Sequence, residues 1–137
     1  MWKYYALLSA LFAALTAIFS KMGVKDVDSS LATAIRVTFV LFLVWGVALY
    51  SRSAKDLFFI PRNVWLYLFL SAVATGLSWL FYFRALETGD VSMVAPIDKL
   101  SVPLTILLAV LLLGEPLSWK VAIGGILISA GVLVLAL

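Results

Sequence analysis

Cysteine and histidine are both missing from this 137-residue sequence. Without cysteine no disulfide and no thiolate metal site can form. Without histidine, the usual imidazole metal ligand and the side chain that titrates nearest neutral pH are absent. Charge is also scarce. Only 12% of the residues are charged, whereas ordinary globular domains carry about a quarter. The net charge is +3, and the basic residues are scattered rather than gathered into the patch that nucleic-acid binding requires. The sequence holds no phosphate-binding loop of the glycine-lysine-serine type, and its closely spaced acids Asp26 and Asp28 read as solvated loop charges. No catalytic constellation, metal site or cofactor is therefore expected, and nucleic acid is excluded as a partner.

Apolar residues are abundant, at 65% of the chain. A soluble domain of this size could not hide that much apolar surface. The hydrophobic residues form five runs, at about 4–20, 31–50, 64–83, 91–113 and 119–137. A helix needs roughly 20 residues to cross about 30 Å of hydrocarbon. Lipid offers backbone amides and carbonyls no partner, so runs of this length are helices. The fold class expected is an all-α, polytopic membrane protein, with residues 1–137 forming a single five-helix transmembrane domain in the lipid bilayer.

The breaks between runs carry helix punctuation. Gly23 is expected as a left-handed cap of the first helix, and Asp28, Ser29 or Ser30 as the cap of the second. Pro61 precedes the third run, Gly89-Asp90 makes a tight third-to-fourth connection, and Gly114-Glu115-Pro116 turns the chain before a Ser118 cap. Such short connections imply antiparallel, packed neighbours. The longest loop, 51–63, holds Arg52, Lys55 and Arg62.

Lys3 followed by an apolar stretch also fits a signal peptide. The first run is long for that role, however, and four more spans follow it. With the N-terminus inside, Lys3, Arg52, Lys55, Arg62 and Lys120 fall on the inner face and Lys21, Lys25 and Arg84 on the outer face. Arginine and lysine favour the cytoplasmic side, so the bias runs toward N-terminus inside and C-terminus outside. It is small enough to permit insertion in both orientations. An odd number of spans puts the termini on opposite faces. Two oppositely oriented copies would then make a ten-helix assembly with the inverted symmetry common among transporters.

Three stretches resemble one repeat of the EamA-type transporters of the drug/metabolite transporter superfamily. They are Ala17-Ile18-Phe19-Ser20-Lys21-Met22-Gly23; Ala32-Thr33-Ala34-Ile35-Arg36; and Arg84-Ala85-Leu86 through Pro96, followed by Gly114-Glu115-Pro116-Leu117-Ser118. The likeness covers nearly the whole chain. It implies a carrier for small organic solutes, often an exporter, in the prokaryotic plasma membrane. Full-length members look like two inverted five-helix repeats. A single repeat implies a homodimer, a sister half-transporter, as in a lipid-linked-sugar flippase, or a fragment of a longer chain. A membrane scaffold without transport is the alternative from another class. Small multidrug-resistance exporters are the nearest rival family, but they look like four-span proteins with a glutamate in helix one, and the first run here has no acid.

Ionisable residues within a span are costly and usually face a cavity or a partner. Asp98 and Lys99 are the leading candidates for substrate binding or translocation. They sit about 10–12 Å into the fourth span and are flanked by Pro96 and Pro103, each of which deletes a backbone donor. The alternative is a salt bridge that only fixes helix packing. Arg36 could snorkel to the interface or pair with Asp98. Lys21 suits the dipole at the end of its own helix or could act as a gate. Trp79 and Tyr82 belong either to the interfacial aromatic belt or to an aromatic cavity wall suited to apolar or cationic solutes. Gly125 and Ser129 mark a close-packing face, either within the protomer or for dimer packing.

Overall fold

A computed structural model describes residues 1–51, 55, 57 and 59–137. Arg52, one of the inner-face cations counted above, lies outside the described residues. The chain forms helices α1 (Trp2–Gly23), α2 (Ser29–Tyr50), α3 (Arg62–Thr88), α4 (Val91–Asp98), α5 (Ser101–Leu113) and α6 (Trp119–Ala136). Among the described residues there is no strand. Among the described residues five segments are long and apolar enough to span a bilayer: α1, α2, α3, α4 and α5 together (Val91–Leu113), and α6.

The helices overrun several sequence boundaries. The first continues through Lys21-Met22-Gly23 to Gly23, and the third continues past Phe83 to Thr88. Gly23 is not a left-handed cap. The positive-φ glycine is Gly114, at φ 67°. Its amide and that of Glu115 both reach the Ala109 carbonyl, satisfying an orphan acceptor at the end of α5. Asp28 is the cap of α2: its Oδ1 accepts from the amides of Ser30 (2.9 Å) and Leu31 (3.1 Å). Ser118 Oγ accepts from the Val121 amide to open α6.

The fourth span is broken. Pro103 has no amide to offer the Lys99 carbonyl, and its ring crowds the preceding turn. The amides of Lys99 and Leu100 therefore bond three residues back, to Pro96 O (2.9 Å) and Ile97 O (3.0 Å), a tight 3₁₀-type turn between α4 and α5. The Lys99 carbonyl is taken by Val102 N at 2.9 Å.

Hydroxyls within the spans bond to their own helices. Thr16, Thr33, Thr38, Thr105 and Ser129 each donate to the carbonyl four residues earlier. In lipid this self-satisfaction removes the cost of an unpartnered polar group.

The chain divides into two compact units, residues 1–18 with 88–137, and residues 19–87. In the first, α6 packs against both α4 and α5. Gly125 is buried there. A Cβ at its position would lie 3.3 Å from Ile106 Cδ1 and 4.0 Å from Pro103 Cβ. This glycine therefore admits α5 of its own chain, and of the two packing roles it has the geometry of the internal one. An apolar groove of about 520 Å³ runs beside this contact, lined in part by Pro103, Ile106, Val110, Ala122 and Ser129. In the second unit, the start of α2 lies beside the end of α3. Phe83 (2% exposed), Leu86 (0%), Ser29 (2%) and Thr33 (4%) are buried there. Most large apolar side chains on all five spans remain exposed, as expected of helices whose solvent is lipid.

Candidate translocation and recognition residues

The residues singled out in the sequence fall into two clusters, one in each unit. The first centres on the broken span. Asp98 ends α4 and Lys99 begins the break. Adjacent positions on a regular helix point about 100° apart, which argues against the two sharing a face. The turn at Lys99 relaxes that restriction, and Lys99 Nζ reaches Asp98 Oδ2 at 3.1 Å. The pair is neither buried nor tied to another helix: the Asp98 side chain is 36% exposed and that of Lys99 55%. A charge at the centre of a span costs about 2.5–3.5 kcal/mol on insertion scales. Mutual pairing offsets part of that cost, but an ion pair left open to acyl chains would still be unfavourable. The chemistry of this cluster is that of a neutralised pair at a helix break, able to exchange internal pairing for pairing with a polar solute.

The second cluster is built on α2 and α3. Arg36 forms no ion pair with a carboxylate among the described residues. Its guanidinium Cζ lies 4.4 Å from the centroid of the Trp79 ring and 5.6 Å from that of Phe83. Trp79 and Phe83 are four residues apart, on one face of α3. Together they form a π surface under the cation, and each contact is worth about 0.5–2 kcal/mol depending on desolvation. Tyr82 is half-buried and meets Phe83 edge-on, with ring centroids 6.5 Å apart and planes at 67°. Trp79 is a platform for Arg36.

Lys21 also acts on a different helix from the one expected. Its Nζ donates to the Leu86 carbonyl at 2.6 Å. The last four carbonyls of a helix lack intrahelical partners and carry its negative dipole end, so a cation from α1 caps the end of α3. Arg84, counted as a loop cation, is helical and lies 3.6 Å from Glu87. A polar recess of about 410 Å³ is lined at this end by Lys21, Lys25, Asp26, Asp28 and Glu87.

Sequence reasoning missed Phe83 and the Leu86 carbonyl. The four-residue spacing of Trp79 and Phe83 was the available signal for the first. No sequence signal marks a backbone carbonyl as the target of a distant lysine.

The EamA-like transporter family matches residues 1–137. A relative from Sinorhizobium sp, named "Uncharacterized transporter in cobO 3'region", is 46% identical over 135 residues, covering 98% of this chain and 96% of the relative. No solved structure matches the chain. The chain belongs to the EamA-like transporter family, and its described residues supply five candidate spans. The family and the name of the relative support a transporter role and a multi-pass membrane setting, and point away from an enzyme.

Proposed function

We propose that this chain is a secondary transporter of small organic solutes that exports them across the prokaryotic plasma membrane and works by alternating access as an antiparallel homodimer. The observation that carries this reading is the break at Lys99-Leu100 with the Asp98–Lys99 pair beside it. A discontinuous span bearing charge within the membrane is how many carriers build a site near the bilayer midplane. A scaffold has no use for a break that leaves an ion pair half exposed in lipid.

The same exposure supports pairing of two copies. One repeat leaves its charged break uncovered, and a second, inverted repeat would enclose it. Asp98 and Lys99 are then the translocation pair, with Pro96 and Pro103 keeping the span pliable. Arg36, Trp79 and Tyr82 contribute solute recognition, and Lys21 holds α3 in place. Ser129 lines the apolar groove beside Gly125, where a partner helix would pack, while Gly125 is occupied by its own chain.

Tags accessible from one side of the membrane, placed in turn on each terminus, test the assembly. Equal labelling of each terminus from both sides is expected for an antiparallel pair. One fixed orientation overturns the antiparallel homodimer and favours a sister half-transporter as partner.

A further inference from the structure

The Arg36 cluster points to the charge of the solute. An aromatic wall bare of protein cations attracts cationic or apolar solutes. Here the wall is already occupied: the Arg36 guanidinium covers Trp79 and approaches Phe83. A second cation approaching those rings would meet a fixed positive charge. Stacking uses the face of the guanidinium and leaves its edge, with the N–H donors, to other partners. Among the described residues no carboxylate pairs with those donors, and the Tyr82 phenol lies near the guanidinium. They are also not sealed in, because no unpartnered side-chain nitrogen or oxygen is fully buried among the described residues. Arg36 is half-buried within a span, where water is scarce and an unmatched cation is costly. The complement to such a group is an anion with two oxygens in one plane, which the guanidinium edge grips through paired hydrogen bonds.

We infer that Arg36, held on the Trp79–Phe83 surface, is an anion-recognition residue that binds a carboxylate or phosphate group, and that the transported solute is an organic anion. The second half of this inference rests on the transport reading above; the first half does not. The aromatic platform fixes the plane of the guanidinium, so Trp79 and Phe83 are positioning residues for Arg36. An aryl group on the same anion would lie against Tyr82 or the uncovered ring edges, which makes aryl carboxylates and aryl phosphates suitable probes.

The test uses the full chain in phosphatidylcholine nanodiscs. Trp2, Trp45, Trp65 and Trp119 are replaced by Phe so that Trp79 alone reports through its fluorescence. Benzoate and phenyl phosphate are expected to change the emission saturably, and benzylamine, with a similar ring and opposite charge, is expected not to. Arg36→Gln should weaken benzoate binding at least tenfold, and Arg36→Lys should keep the preference for anions at reduced affinity. Calorimetric titration of the chain with all its tryptophans provides the same comparison if the single-tryptophan variant does not fold.

Phosphatidylglycerol nanodiscs separate the two sources of the anion. A response already saturated there, and not displaced by benzoate, assigns the group to a lipid headgroup and ends the organic-solute half of the inference. Benzylamine binding as tightly as benzoate, benzoate binding unaffected by Arg36→Gln, or no binding by any probe overturns the anion site itself. If anion binding is present and dependent on Arg36, but the chain in proteoliposomes moves no solute, the anion site stands and the transport reading fails.

Discussion

The two units use their intramembrane charges in opposite ways. In residues 19–87 two cations, Lys21 and Arg36, are anchored. Lys21 closes the end of α3 at the Leu86 carbonyl, and Arg36 rests on Trp79 and Phe83, with Phe83 and Leu86 themselves buried. In the unit formed by residues 1–18 and 88–137, the charges sit on a break in the helix. Asp98 and Lys99 hold each other and little else, and both are substantially exposed. A charge fixed by packed rings and a helix end is suited to recognition, because its geometry is set before a ligand arrives. A pair made by neighbouring residues on an exposed turn is suited to change, because exchanging partners disturbs no packed core. The contrast is one between charges held by packed groups and a pair held by its own turn.

That contrast can be broken most directly at the turn. Asp98→Asn is expected to abolish solute flux in proteoliposomes while leaving membrane insertion and expression intact. Flux that survives this change removes Asp98 from the translocation pair. Pro103→Ala gives residue 103 an amide that can take the Lys99 carbonyl in place of the Val102 amide, so α4 and α5 should join into one helix. Hydrogen exchange at Lys99 and Leu100 should slow, and flux should fall several-fold. Unchanged exchange would mean that the break does not depend on the proline.

The anchored unit calls for stability measurements. Lys21→Met removes the charge-assisted bond to α3 and should lower stability by about 1.5–3 kcal/mol, read as a lower melting temperature in detergent. An unchanged melting temperature would show that the contact contributes nothing measurable. At the packed contact between α5 and α6, Gly125→Leu forces a bulky side chain against Ile106 and Pro103 and should cost about 1–3 kcal/mol. Gly125→Ala should cost less, because the nearest atom is the mobile end of Ile106. The smallest effect is expected at the α2 cap, where Asp28→Ala should cost about 1 kcal/mol, since it removes two bonds to exposed amides without disturbing buried packing.

The sequence revealed much of the fold for a simple physical reason. Hydrocarbon tolerates only long apolar helices, so each run declared its own structure, and Asp28, Ser118 and Gly114 declared helix ends through local chemistry. The ends of α1 and α3 were less legible. Lys21-Met22-Gly23 and Arg84 through Thr88 remain helical because contacts between the helices extend them past the point where hydropathy falls. Arg36 and Trp79 were both visible as candidates, but not as a pair. They are 43 residues apart (79 − 36), and only the packing of α2 on α3 brings them together. A salt bridge at Asp98 and Lys99 was legible as one alternative, but not the turn that lets the two meet, since on an unbroken helix they would diverge.

The sequence alone determined that this chain lives in a bilayer, how many times it can cross, and that its few intramembrane charges must be paired or enclosed, because the cost of burying charge in hydrocarbon applies to any arrangement. Tertiary structure decided which partner each charge takes. Lys21 goes to the end of another helix, Arg36 to an aromatic face, and Asp98 to its own neighbour across a break. Those choices depend on distances between helices, and distances between helices are set by packing rather than by any local pattern of residues.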